Sequence, residues 1–249
     1  MRSILLYHNI ARRISPFGST IPPSMFETHL KFLKSKGIRF ISLSEYTKGE
    51  DGVVITFDDG FEDLYIFLPE LVERYRLRPI IFIVSGFLGK TNTWDVWPGT
   101  GLKHLNRKQV IEMRKLGIEF GSHSHTHIDF SRAGMERIRE EIVTSRRVIE
   151  DILGEDIKFF SFPFGRWRRE AVDIALDSGY TETFTSVPIK TEQRGISGRW
   201  GVYIIDPPEI ITMKQKESSF ANLEAAKLRI INRFSNGTYF ARKVFGLSQ

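Results

Sequence analysis

Val53-Val54-Ile55-Thr56-Phe57-Asp58-Asp59-Gly60 sets an unbroken apolar run, rich in β-branched residues, against two adjacent carboxylates and a glycine. A continuous run of this kind suits a central parallel strand, buried on both faces. The carboxylates then fall at its carboxyl end, where parallel α/β folds place their sites.

Working outward, strand-like and helix-like segments alternate. Strands are expected at residues 4–7, 38–43, 53–57, 79–84, 118–121, 159–162, 180–185 and 200–205. Helices are expected from Pro22-Pro23-Ser24 to Gly37 and at 62–76, 106–116, 133–153 and 168–178, with a short helical turn at 44–46 and a bend at Pro69. Residues 85–105 read as a long loop. Repeated β-α units favour parallel strands with helices outside, hence an α/β fold in one barrel-like domain.

A second segment follows the strand expected at 118–121: His123-Ser124-His125-Thr126-His127 holds half of the six histidines. A helical turn would put His123 and His127 on one face. An extended chain would align His123, His125 and His127. Either way at least two imidazoles converge. With no cysteine in the chain, any metal must use imidazole and carboxylate ligands. Histidine and aspartate with open positions form a catalytic donor set for zinc, iron, nickel or cobalt. Asp58 and Asp59 diverge at a strand end, so one can ligate while the other faces a substrate water.

Composition narrows the rest. The 27% charged fraction and 41% hydrophobic content indicate a folded globular chain. No apolar run reaches the ~20 residues of a membrane span, and the start lacks the h-region of a signal peptide, so the expected location is cytoplasmic. Residues 214–249 carry seven basic and two acidic side chains, +5 of the net +6. The body is nearly neutral, unlike a nucleic-acid-binding surface. Residues 218–236 read as a helix with Phe220, Leu223, Leu228, Ile231 and Phe234 on an apolar side. The expectation is a catalytic domain at 1–213 with a basic helix and tail at 214–249 packed on it. The alternative is peripheral contact with the inner membrane face.

These segments carry a resemblance. Thr56-Phe57-Asp58-Asp59-Gly60 is similar to the first motif of the polysaccharide deacetylases, carbohydrate esterase family 4 with its NodB-homology domain. His123-Ser124-His125-Thr126-His127 is similar to their second motif, and Phe162-Pro163-Phe164-Gly165 to the core of the third. Order and spacing agree over roughly residues 1–205. The resemblance implies a distorted (β/α)7-type barrel and a divalent ion, zinc first and nickel, cobalt or iron as alternatives, held by Asp59, His123 and His127. It implies Asp58 as the base acting on the metal's water, Ser124 as a loop-fixing residue and the backbone N–H of Phe164 as an oxyanion donor. His125 is left as a neighbour. The implied reaction is hydrolysis of the N-acetyl amide of an amino sugar. Rival readings are deacetylation or deformylation of a lipid-linked sugar at the membrane, and a carbohydrate-binding pseudoenzyme.

Two departures matter. Where the third motif usually has an arginine, this chain has Ser161, and Arg199 is the better candidate than Arg166 for the missing cation. No histidine follows His127, so the usual late histidine is absent. Leu6-Tyr7-His8-Asn9-Ile10 resembles the first strand of a permuted subgroup that deacetylates poly-N-acetylglucosamine, which implies His8 as the general acid. His29 and His104 read as solvated. Trp94 and Trp97 are candidates for sugar contact, Trp167 a weaker one, and Trp200 for the pocket wall.

Overall fold

The structure, a computed structural model, describes residues 2–12, 19–92, 101–189 and 193–213. Trp94, Trp97 and the basic segment 214–249 lie outside the described residues.

The strands are β1 (Arg2–Tyr7), β2 (Asn9–Ile10), β3 (Thr20–Ile21), β4 (Gly52–Phe57), β5 (Ile80–Ile83), β6 (Glu119–Ser122), β7 (Phe159–Ser161), β8 (Glu182–Thr185), β9 (Ile196–Gly198) and β10 (Trp200–Gly201). The helices are α1 (Pro23–Ser35), α2 (Leu43–Thr47), α3 (Asp63–Tyr75), α4 (Arg107–Lys115), α5 (Met135–Leu153), α6 (Arg169–Asp177) and α7 (Pro208–Met213). The main sheet runs β10-β1-β4-β5-β6-β7-β8-β9, and β2 and β3 form a small separate pair. Every pairing in the main sheet is parallel.

The two edges of this sheet are consecutive in the chain. Arg199 alone separates β9, which pairs with β8, from β10, which pairs with β1. They act as one broken strand, so the sheet is a nearly closed barrel of seven strand positions, as the resemblance implied. The strand expected at 200–205 is therefore short. Asp206 ends it by accepting from the Tyr203 amide at 3.0 Å while its own amide donates to the Tyr203 carbonyl at 2.9 Å.

Side chains alternate across the strands. Leu5, Val53, Ile55, Phe57, Ile81, Ile83 and Phe160 face outward into one cluster with the helices. Ile4, Val54, Ile80, Phe82, Phe159 and Phe184 form the other, together with Ile41 and Leu43. Gly121 is required here, because a Cβ would stand 2.6 Å from the Phe82 ring. The strand expected at 38–43 reduces to one parallel bridge from Phe40 to Val53. Ser42 stops it with a capping box: its hydroxyl accepts from the Glu45 amide at 3.1 Å, and the Glu45 carboxylate accepts from the Ser42 amide at 2.8 Å. The resulting α2 plugs the amino-terminal end of the barrel with Leu43. Helix α3 continues through Pro69, where the bond to the Tyr65 carbonyl is forfeited.

His29 is buried, not solvated. Its Nε2 donates to the Asp206 carbonyl at 3.1 Å, so its Nδ1 accepts from the Tyr7 hydroxyl at 3.2 Å. Burial drives the Tyr7 phenol far above its usual range, and the Asp206 charge adds to this. Among the described residues no helix is long and apolar enough to cross a membrane.

Candidate metal centre

The polar segments meet at the carboxyl ends of the strands. Asp58 and Asp59 leave β4, His123 to His127 leave β6, Pro163 to Gly165 leave β7, and His8 follows β1. Asp59, His123 and His127 are buried, and one ligating atom of each lies within 4.8 Å of the others. Asp59 Oδ1 is 3.2 Å from His127 Nε2 and 3.6 Å from His123 Nε2. That oxygen is buried and faces both ring nitrogens. A cation among the three would satisfy a carboxylate oxygen and two ring nitrogens together, so the donor set fits a divalent ion of the zinc type.

The loop after β6 turns instead of staying extended. Ser124 and His127 take φ of 68° and 59°, which brings His123 and His127 together and sends His125 away. The His125 ring meets the Ser85 hydroxyl at 2.9 Å. The Ser124 hydroxyl accepts from the His127 amide at 2.9 Å. His123 Nδ1 donates to the Ser161 carbonyl at 2.9 Å, which fixes the tautomer and leaves Nε2 toward the cluster. Burial pushes the His123 pKa down to about 4, so the ring is neutral, its ligating form, at ordinary pH.

Glu141 on α5 completes this loop from outside both sequence motifs. Its buried carboxylate accepts from the His125 amide at 2.8 Å, the Thr126 amide at 2.7 Å and the Thr126 hydroxyl, and it pairs with Arg137 at 2.8 Å. The available signal was an acid on the buried face, between Ile138 and Ile142.

Asp58 stands beside the cluster and outside it. Its Oδ2 is 3.9 Å from His123 Nε2. Arg199, wholly buried at the break between β9 and β10, grips both its oxygens, at 2.8 and 2.7 Å. The same guanidinium donates to Ser161 Oγ at 2.7 Å, Thr56 Oγ1 at 3.1 Å and the Thr185 carbonyl at 3.3 Å, and lies 5.1 Å over the Phe82 ring. Ser161 also donates to Asp58 Oδ2 at 3.2 Å. Arg166 is engaged elsewhere, with Asp129 at 2.7 Å. Burial alone would raise the Asp58 pKa. The Arg199 charge, then His123, outweigh it and hold the carboxyl below its ordinary value. Asp59 is likewise lowered against burial, by His127 and His123.

His8 is near enough to both carboxyls to couple to them electrostatically, and its Nδ1 is buried without a hydrogen-bond partner. Phe164 takes a φ of 59° in the turn Pro163–Gly165, and its ring edge meets the His127 imidazole at 4.6 Å. Trp167 and Trp200 pack, partly buried, against the outer core cluster. His104, read as solvated, is buried beside Asp59.

At the carboxyl mouth of this parallel α/β barrel an Asp-His-His cluster therefore stands beside a separate, arginine-held carboxylate. The chain belongs to the polysaccharide deacetylase family, whose sequence profile matches residues 45–183. The chain is 26% identical over 193 residues to the Bacillus subtilis family protein YxkH, a match spanning 74% of this chain and 64% of that protein, less than two thirds of its length. It is 24% identical over 201 residues to a poly-β-1,6-N-acetyl-D-glucosamine N-deacetylase of Staphylococcus aureus, covering 74% of this chain and 67% of that one. The fold is shared with the deacetylase PplD of Streptococcus pyogenes, solved with acetate, at a TM-score of 0.72, 21% identity and coverage of 85% and 96%. It is shared also with IcaB of Ammonifex degensii, at a TM-score of 0.70, 20% identity and coverage of 88% and 96%.

Proposed function

We propose that this chain is a metal-dependent N-deacetylase that hydrolyses the N-acetyl amide of an N-acetylglucosamine-type saccharide and releases acetate. The observation that carries this reading is the division between Asp58 and the three-residue cluster. One carboxylate is aimed among the imidazoles, and its neighbour in sequence stands outside the cluster, held by Arg199 in the ionised form that accepts a proton.

Asp59, His123 and His127 would hold the ion, zinc by the donor set. When bound it polarises the amide carbonyl and lowers the pKa of water. Asp58 accepts the proton of the attacking water, and Arg199 keeps its carboxylate oriented and charged. The Phe164 N–H donates to the oxygen that gains charge as the carbonyl carbon becomes tetrahedral. His8 donates a proton to the amine nitrogen as the C–N bond breaks, and acetate and a free amino sugar leave. Ser161 ties the two halves together, since its hydroxyl touches Asp58 and Arg199 while its carbonyl orients His123. The N-acetylglucosamine polymer is favoured by the similarity to the staphylococcal enzyme.

The test is acetate release from poly-β-1,6-N-acetylglucosamine oligomers by the zinc-loaded protein, before and after chelation. Release that stops with chelator and returns with zinc is expected. Zinc-loaded protein that releases acetate from no N-acetylated saccharide contradicts the proposal.

A further inference from the structure

We propose that His104 is a positioning residue that holds the backbone turn presenting Asp59 to the metal. The inference rests on the reading of Asp59 as a ligand and assigns a task to a side chain far from both metal motifs in sequence.

Asp59 has a φ of 69°, and the Gly60 amide bonds back to the Asp58 carbonyl at 2.9 Å. A bond from residue i+2 to residue i, around a positive-φ centre, marks a γ-turn of the rare and strained kind. Such a conformation is strained and persists only where the surroundings over-determine it. Its direction matters, because the turn sets where the Asp59 side chain points.

Two sides of the molecule hold it. Toward the barrel, Gly60 has a φ of 67° and lies so close to Ile83 that a Cβ would stand 2.6 Å from Cγ2. On the other side runs the segment 103–105. The Glu62 amide donates to the Lys103 carbonyl at 2.7 Å, and the Leu105 amide donates to the Gly60 carbonyl at 2.9 Å. Between these bonds His104 Nδ1 reaches the Asp59 carbonyl at 2.8 Å. A carbonyl only accepts, so Nδ1 carries the proton. The imidazole is 1% exposed and lies against the rings of Phe61 and Phe87, at 5.1 and 5.8 Å between centroids. The bond fixes the peptide plane between Asp59 and Gly60, the plane on which the ligand's aim depends. A histidine that merely packed would need its ring and not its donor.

Two substitutions separate these roles. His104→Phe keeps an aromatic ring and removes the donor, whereas His104→Asn supplies an amide N–H near the place of Nδ1. Zinc affinity is measured by calorimetry, and amide exchange at Gly60 is measured in the metal-free protein. His104→Phe should lose about 10- to 100-fold in zinc affinity, as for other groups that orient a ligand, and Gly60 should exchange faster. His104→Asn should restore both to near wild-type. Wild-type affinity in His104→Phe, or an equal loss in both variants, overturns the proposal. Acetate release plays no part in this readout. A wild-type protein that binds zinc and releases no acetate therefore removes the deacetylase reading without touching the comparison between variants.

Discussion

At the amino-terminal end of the barrel, Ile4, Val54, Ile80, Phe82, Phe159 and Phe184 pack with Ile41 and Leu43, on regular strands beneath a capped helix. At the carboxyl end, β4, β6 and β7 release Asp59, Ser124, His127 and Phe164, all with positive φ. Among the described residues only one other non-glycine residue, Arg76 at the end of α3, shares that conformation. Stability is concentrated where side chains are apolar and backbones relaxed. Strain and buried charge are concentrated where chemistry is expected. The halves meet at Arg199, whose guanidinium rests on Phe82 below and grips Asp58 above.

That joint is where the contrast breaks most easily. Arg199→Leu leaves Asp58 buried without its cation, and breaking a buried pair costs about 3–5 kcal/mol, read from urea denaturation. With the largest opposing charge gone, the Asp58 pKa rises, so the acid limb of the pH–rate profile should move to higher pH. The sign follows from the depressed pKa in the folded protein. The pair's stability is present above the ordinary aspartate value and is lost as pH falls through the lowered one.

Ile80→Val sharpens the comparison from below. It should cost about 0.5–1.5 kcal/mol in the same denaturation experiment and leave zinc affinity unchanged. A change in zinc affinity would mean that the two ends are not separable.

The smallest effect concerns Glu119, which enters the lower end of the barrel and accepts from the Leu43 amide at 3.2 Å. Burial raises its pKa above 4.5, against opposing bonds from Ser44 and Leu43. The folded state therefore keeps a proton that the unfolded chain releases, and stability falls as pH rises through that window. Glu119→Gln should flatten this fall, measured as unfolding free energy from about pH 5 to about pH 8.

The lower end and the candidate ligands were legible in the sequence for different reasons. Apolar runs such as 53–57 mark buried parallel strands, and the Asp-Asp-Gly and His-x-x-x-His spacings mark converging ligands. Arg199 was reachable because Ser161 stands where a cation is needed. Glu141 and His104 were not reachable, since each acts on a backbone group brought near only by the fold. His29 was misread for the same reason: its partners Tyr7 and Asp206 lie 22 and 177 residues away. The strand expected at 38–43 was cut short by the Ser42–Glu45 capping box, a local signal that outweighed the apolar run.

On the proposed division of labour Asp58 is the base and is not a ligand. Asp58→Asn tests it most directly, with zinc content and acetate release measured on the same sample. Zinc should be retained as in the wild type and acetate release reduced by about 10²- to 10⁴-fold, the range of general base catalysis. A zinc-loaded Asp58→Asn protein that releases acetate at the wild-type rate would contradict it.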